Sequence, residues 1–316
     1  MGKDFDCVVC GCCTVDILVK PIELHQPLRA DQLIEVSPIE TTTGGIVSNS
    51  ATALARLGMR TAASTLVGED DWSAIIRRKL SQEGIDLSHL ISRPELPTST
   101  TAVMIDEMGQ RSFAHCPGAP QKIDRKFFLD QMDFFASCRA LLLGYYSLLP
   151  NVEPDLPEVM QKIRSVGCLT ALDSVGNGGD ANVLRRILPH LDLYVPSFGE
   201  AANQTGLDDP HAILKRFREW GAMGLLGVKL GSRGAILSPK VGEIIRIEAI
   251  SPPGPVIDTT GAGDSFYAGL ITGLLNGMSV VDAGRLAAAT GAACVTALGA
   301  SAGLRNLKET KQLAGL

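Results

Sequence analysis

Histidine and aromatic residues are scarce in this chain. The five histidines are dispersed, and only 5% of residues are Phe, Trp or Tyr, so neither a histidine metal cluster nor an aromatic stacking platform announces itself. No H-E-x-x-H, G-x-S-x-G or G-x-x-x-x-G-K-[ST] segment occurs, which sets aside the zincin, nucleophile-elbow and P-loop arrangements. No G-x-G-x-x-G opens the first αβ unit either. Positive charge is not in excess: 29 basic residues face 34 acidic ones, a formal net charge of -5. That balance argues against a nucleic-acid backbone partner, while a phosphorylated ligand needs only local positive potential. Asp4 and Asp6 interrupt any apolar signal-peptide core near the start. The uncharged stretch 286–304 is dominated by Ala, Gly and Thr, so it reads as a buried helix and a loop, and no membrane span is expected.

Cysteine is present in number, eight in all, with Cys7, Cys10, Cys12 and Cys13 crowded in "FDCVVCGCCTVDIL". The spacing Cys7-x-x-Cys10 suits a redox pair or half a zinc site, but no second pair follows. The apolar surroundings favour buried thiols on a first strand, where reduced cysteine packs as a small hydrophobe. A reduced, cytoplasmic protein is the expectation.

Along the chain, residues 5–13 read as a buried strand, with Asp16 just past it. Residues 33–43 are β-compatible, and Gly44-Gly45 then breaks the chain before a helix over 47–57 that stops at Gly58. A strand over 61–67 and a helix over 72–83 follow. Strand and helix continue to alternate from residue 140 to 229: strands at 140–143, 169–173, 191–195 and 225–229, helices at 155–166, 181–188, 200–204 and 210–220. An antiparallel pair at 234–238 and 243–247 comes next, then helices over 263–275 and 280–295. This alternation predicts an α/β three-layer sandwich around a mainly parallel central sheet. One segment departs from it: 99–116 reads as two strands around a turn at 107–110, with no helix between them. With strands near 18–40 it is expected to form a small β-sheet lid inserted in one domain spanning 1–316, able to cover a ligand and exclude water.

The segment "DTTGAGDSFYAG", Asp258 to Gly269, raises the chemical question. Helix starts carry unpaired N–H groups and the positive end of the dipole. The small residues Gly261, Ala262 and Gly263 let a phosphate oxygen or developing anion reach them. Asp264 has two readings with one geometry: an acid stabilised by the dipole, or a general base facing a substrate hydroxyl.

This segment resembles the C-terminal signature of the ribokinase-like, or PfkB-type, carbohydrate kinases. "GGIVSNSATALARLGMRTAASTLVGEDDWSAIIRRKLSQEGID", Gly44 to Asp86, is similar to their N-terminal signature. The two stand in the family's order and at its separation. The resemblance implies phosphoryl transfer from ATP to a hydroxymethyl group of a sugar or related alcohol. It makes Asp264 the base, Gly261, Ala262 and Gly263 the anion hole, and Asp16, Gly44, Gly45 and Asn49 the sugar contacts.

Softer matches extend it. "VPSFGEAANQTG" resembles the segment that helps place Mg2+; Glu200 matches the family's Glu, and Ser197 stands where Asn is usual. "KLGSRG", with Lys229, Gly231 and Gly234, resembles a strand and turn beside the nucleotide, although Lys229 can equally be a strand-end lysine. The adenine is expected between 241–247 and 288–292, the latter including Ala292. In "CPGAP", Pro120 follows Gly-Ala where ribokinases often have Asn, which weakens a ribose assignment. Asp258 and Thr260 resemble part of a monovalent-cation (K+) site completed by backbone around 297–303; a turn-capping role for Asp258 is the other reading. A homodimer through the lid is implied, with Ile22, Leu24, Leu28 and Leu33 as apolar contacts that could also pack onto the main domain. Alternatives are a nucleoside kinase, for which 99–116 offers only Phe113 as an aromatic, and a non-catalytic sugar-binding protein.

Overall fold

The computed structural model describes residues 2–27 and 29–316; Leu28 lies outside the described residues. The first part of the chain runs β1 (Phe5–Gly11), β2 (Thr14–Val19), β3 (Glu40–Gly44), α1 (Gly45–Arg56), β4 (Thr61–Val67), α2 (Asp71–Gln82), β5 (Asp86–Ser92), β6 (Thr100–Ile105) and β7 (Arg111–Cys116). Next come α3 (Arg125–Leu129), α4 (Met132–Ser137), β8 (Cys138–Gly144), α5 (Leu156–Ser165), β9 (Leu169–Asp173), α6 (Ala181–Ile187) and β10 (Leu193–Tyr194). The last part is α7 (Phe198–Thr205), α8 (Pro210–Glu219), β11 (Leu225–Lys229), β12 (Ala235–Ser238), β13 (Ile245–Ile247), α9 (Ala262–Leu275), α10 (Val280–Cys294) and α11 (Leu307–Ala314).

Nine strands form one sheet in the order β13-β12-β11-β10-β9-β8-β1-β4-β5. It is parallel from β5 to β11; β12 runs antiparallel to β11, and β13 antiparallel to β12. A parallel sheet must be covered on both faces, so its strands read as continuous apolar runs. β4 is buried at all seven positions, and β1 is buried from Cys7 to Gly11. Alternate residues of β1 feed two cores. Val8 and Cys10 pack with side chains of α3 to α8, including Phe128, Leu156 and Phe217. Cys7 and Val9 pack with α1, α2, α9 and α10, including Ile46, Ile76 and Phe266. The three-layer α/β sandwich expected from the alternation is therefore the observed one.

The same pleat settles the cysteine cluster. Cys7 and Cys10 lie on opposite faces of β1, in different cores, and all eight cysteines are free thiols. Burial pushes the Cys12 and Cys13 thiols up to about 12, the signature of structural rather than reactive cysteine.

Side chains satisfy most helix starts. Asp70 caps α2 at Ser73 N, 2.9 Å, and Asp209 caps α8 at Ala212 N, 3.0 Å, ahead of Pro210. Ser197 and Glu200 form a reciprocal capping box at α7.

A second sheet, in the order β3-β2-β6-β7, stands apart from the first. Its hairpin β6–β7 is the one expected from 99–116. The strands read near 18–40 lie instead at Thr14–Val19 and Glu40–Gly44. Residues 20–39 carry no strand among those described, because Pro21, Pro27 and Pro38 cannot donate to a ladder. Sequence reasoning also missed β5, which pairs along the β4 edge, and the short helices α3, α4 and α11.

Helices α9 and α10 meet through glycine. A methyl group on Gly273 would lie 2.6 Å from Ala283 Cα, and one on Gly269 2.5 Å from Thr290 Oγ1. Helix propensity favours Ala over Gly by roughly 0.5–1 kcal/mol, whereas overpacking costs roughly 1–3 kcal/mol. The backbone of α10 cannot yield as a flexible side chain would, so overpacking wins. Gly273→Ala is expected to lower the thermal unfolding midpoint; a raised midpoint would show that the two helices move apart freely.

Candidate active site

The parallel strands end on one edge of the large sheet, where α/β folds place their ligands. Tyr145 follows β8, Asp173 ends β9, Ser197 follows β10 and Lys229 ends β11. Helix α9 starts over the same edge. Its Ncap is Gly261, in the left-handed region at φ 76°, with no side-chain cap. A Cβ there would lie 2.4 Å from that of Ala300, so only glycine is accommodated. Ala262 N–H reaches Thr259 O at 3.3 Å. Among the described residues, the N–H groups of Gly263 and Asp264 meet no protein acceptor, which leaves them for an anion.

Asp264 is only 4% exposed. Its Oδ2 accepts from Asn49 Nδ2 at 2.8 Å, and Tyr145 Oη donates to Oδ2 and Oδ1 at 2.9 and 3.0 Å. Burial pushes its carboxyl up, and the hydrogen bonds from Asn49 and Tyr145 draw it part of the way back. The sequence expectation that Asn49 contacts the acceptor gains a second half here: Asn49 also holds the base candidate. Helix α1 delivers it, and Ser50 Oγ donates to Asp264 O at 3.2 Å.

Gly44 and Gly45 open α1 against the start of the small sheet. A Cβ on Gly44 would lie 2.3 Å from Asp16 Oδ2, and Gly45, at φ 78°, turns within 2.5 Å of Cys12 O by the same measure. The pair brings α1 and Asp16 together. Asp16 belongs to β2, beside Thr42 and Thr101, rather than to the end of β1. Burial raises its carboxyl, opposed by Thr101 and by the charges of His115 and Arg111.

Lys229 and Asp173 are the pair the motif reading left incomplete. Lys229 Nζ lies 3.1 Å from Asp173 Oδ1, with side-chain exposures of 12% and 2%. It lies 5.0 Å from the Tyr267 ring centroid and 3.3 Å from a methyl built on Gly263. Burial disfavours its charge, but Asp173, Glu200 and Asp264 together raise its pKa and keep it an ammonium. For Asp173, burial pushes the carboxyl up against the pull of Lys229. The signal available in sequence was an acid closing a parallel strand.

Beyond Lys229 opens a cleft of about 510 Å³. Gly231, Gly234, Ala262, Gly263, Ala288 and Ala292 line it. The expected contribution of 241–247 is replaced by Ala249, Ile250, Pro252 and Val256, because β13 turns Ile247 into the core. Glu200 stands nearby: its Oε2 accepts from Ser197 N at 2.8 Å and from Ser174 Oγ at 3.0 Å. Ser197 thus uses its hydroxyl to cap α7 at Glu200 N. Among the described residues, no three His, Cys, Asp or Glu side chains gather as a metal cluster. One carboxylate of this kind suits Mg2+, which is bound through one or two carboxylates and keeps several of its waters.

The side chains of Asp258 and Thr260 both contact Arg111. Arg111, from β7 of the small sheet, places Nη2 2.7 Å from Asp258 Oδ2 and donates from Nη1 to Thr260 Oγ1 at 2.5 Å. Asp258 also accepts from Thr260 N at 2.9 Å and Gly299 N at 2.8 Å. Burial works to raise its carboxyl, and these partners outweigh it and hold it at about 2. Pro120 is buried in the short turn Ala119–Lys122.

The family model for pfkB family carbohydrate kinases matches residues 6–307, and the chain belongs to that family; it is an ATP-dependent kinase of the carbohydrate-kinase class. It is 27% identical to the ribokinase of Arabidopsis thaliana over 97% of this chain and 80% of that one. It is 27% identical to the 2-dehydro-3-deoxygluconokinase of Bacillus subtilis over 86% of each. The solved structure of the Arabidopsis thaliana ribokinase, complexed with ribose and ATP, superimposes over 100% of both chains with a TM-score of 0.84 at 24% identity. No helix among the described residues is long and apolar enough to cross a membrane.

Tyr145 was not anticipated. It is one of two non-glycine residues at positive φ among those described, at 58°, a conformation that costs roughly 1–3 kcal/mol and persists where the surroundings enforce it. Tyr145→Phe removes a donor that favours the ionised Asp264. The carboxyl should then titrate at higher pH, and the acid side of the pH–activity profile should move up with it. A uniform loss at every pH, with the inflection unmoved, would assign Tyr145 to packing alone.

Proposed function

We propose that the chain transfers the γ-phosphoryl group of ATP to a primary hydroxyl of a sugar or sugar-like alcohol, with Asp264 as general base and the turn 261–263 as anion hole. The observation that carries this reading is the placement of a buried carboxylate, unpaired helix N–H groups and the Lys229 ammonium at one point. That point separates the acceptor side, with Asp16, Gly44, Gly45 and Asn49, from the 510 Å³ cleft.

Asp264 takes the proton of the acceptor hydroxyl through an oxygen not fully committed to Asn49 and Tyr145. The hydroxyl oxygen bonds to phosphorus as the bond to the ADP oxygen breaks. The N–H groups at the start of α9 and the ammonium of Lys229 stabilise the charge on the transferring oxygens. Glu200 would hold Mg2+ through water; when bound, the ion neutralises phosphate charge. Gly231, Gly234 and Ala292 leave room for the nucleotide. The small sheet acts as the lid that excludes water.

The proposal includes a homodimer through that sheet. Leu33 is 91% exposed and Phe113 62%, whereas Ile22 is buried within its own chain and supplies no contact. Phe113 pairs with Val103, in register with Leu18, and is the single aromatic residue that 99–116 offers a nucleobase.

A coupled ADP-release assay with Mg-ATP and a panel of ribose, fructose, fructose phosphates, 2-keto-3-deoxygluconate, inositol and adenosine tests the reading. Turnover on one acceptor should fall by about 10²–10⁴ in Asp264→Asn. A mutant rate equal to wild type would remove Asp264 from the chemistry. Bound sugar without turnover would favour a binding protein, and turnover of adenosine alone a nucleoside kinase.

A further inference from the structure

Arg111 is the feature of this site that the motifs did not anticipate. It begins β7 of the small sheet, yet its guanidinium reaches the backbone segment that leads into α9. The contact is two-pronged: Nη2 to Asp258 Oδ2 at 2.7 Å, Nη1 to Thr260 Oγ1 at 2.5 Å. Side-chain exposures of 21% for Arg111 and 4% for Asp258 place the pair largely out of water. Thr260 immediately precedes Gly261, so the contact ends one residue from the anion-hole turn. On its other side, Arg111 contributes to the positive potential felt by Asp16.

We propose that Arg111 supplies the positive charge that orders the turn leading to the anion hole, in the place where a monovalent metal ion was expected, and thereby ties the geometry of that turn to closure of the small sheet. The carboxylate geometry supports the substitution. Asp258 Oδ1 is taken by Thr260 N, and Oδ2 by Gly299 N and the guanidinium. A metal ion on the same carboxylate would meet a like charge at close range, and like charges in a poorly solvated site repel strongly. The guanidinium is also a fork, suited to a carboxylate and a hydroxyl at once. A bare ion binds wherever the turn is; a side chain from the small sheet binds only when that sheet is down. The lid position and the phosphate site are therefore linked through one residue, which acts as a positioning residue and not on the reacting atoms. The consequence for rate rests on the phosphoryl-transfer reading above, and the contact itself does not.

The test uses the full-length protein and the variants Arg111→Met, which keeps the apolar stem, and Arg111→Lys, which keeps the charge without the fork. Initial rates are measured in potassium and in tetramethylammonium chloride at equal ionic strength, on the acceptor identified above. Wild type should change by less than about twofold between the salts, since both screen equally. Arg111→Met should lose at least about tenfold in tetramethylammonium, through misplacement of the anion hole, and recover part of it in potassium. Hydrogen–deuterium exchange over 255–262 and 100–116 gives a readout that needs no turnover. Both segments should exchange faster in Arg111→Met and in Asp258→Asn, with Arg111→Lys intermediate. Strong potassium activation of wild type, or unchanged exchange at 255–262 in Arg111→Met, would overturn the inference. If no acceptor is turned over by wild type, the kinase reading fails by itself and exchange still decides the contact; if Arg111→Met does not fold, Arg111→Lys and Asp258→Asn decide it in the same way.

Discussion

The site depends on a carboxylate that the fold keeps dry. Asp264 sits at the start of a helix that is apolar on every side, and the next nine residues of that helix, through Gly273, are buried as well. A buried carboxylate raises its own pKa unless donors compensate, so its neighbours are constrained. Asn49 and Tyr145 are the donors. To deliver Asn49, α1 must cross α9, and Gly44 and Gly45 must turn the chain sharply against Asp16 and Cys12. To deliver Tyr145, the end of β8 must enter the left-handed region. Three elements distant in sequence are thus committed by one acid.

Charge around that acid is balanced with few cations. Asp173, Glu200 and Asp258 add three more carboxylates, while Lys229 and Arg111 are the cations in contact with them. A polyphosphate cannot be drawn to such a place by a positive patch. In the proposed reaction it is received by oriented backbone N–H groups and one ammonium, at the positive end of a buried helix dipole. This is how a chain of net charge -5 can serve a phosphorylated ligand: the attraction is local, and the overall charge carries no information about it.

What the sequence revealed follows the range of the interactions. Buried parallel strands leave continuous apolar runs, and capped helices leave Asp, Ser and Gly at their ends, so the sandwich was legible. The turn 261–263 was legible because a left-handed Ncap without a side-chain cap demands glycine. Edge strand β5, with "DLSHLIS" only partly buried, has neither clear alternation nor a continuous run. Tyr145 and Asp173 act through contacts across 119 and 56 residues; nothing local marks Tyr145, and the acid that closes β9 marks Asp173 without naming its partner. The strands of the small sheet were misplaced because β3, "ETTTG", is polar, whereas the loop before it contains more of the apolar residues.

Arg111 shows the same limit in its sharpest form. In sequence it is one charged residue in a polar hairpin, and Asp258 is one acid before a glycine-rich turn. Each has an ordinary local reading, solvent for the first and turn capping for the second. Both readings are incomplete for the same reason: a desolvated ion pair is stable only when both partners arrive together. Asp258 does cap its turn, through Thr260 N and Gly299 N, and that leaves its charge largely uncompensated. The guanidinium completes it from another sheet. A local motif can identify which residues are able to hold a cation, but the identity of the cation is decided by whichever element the fold lays across them.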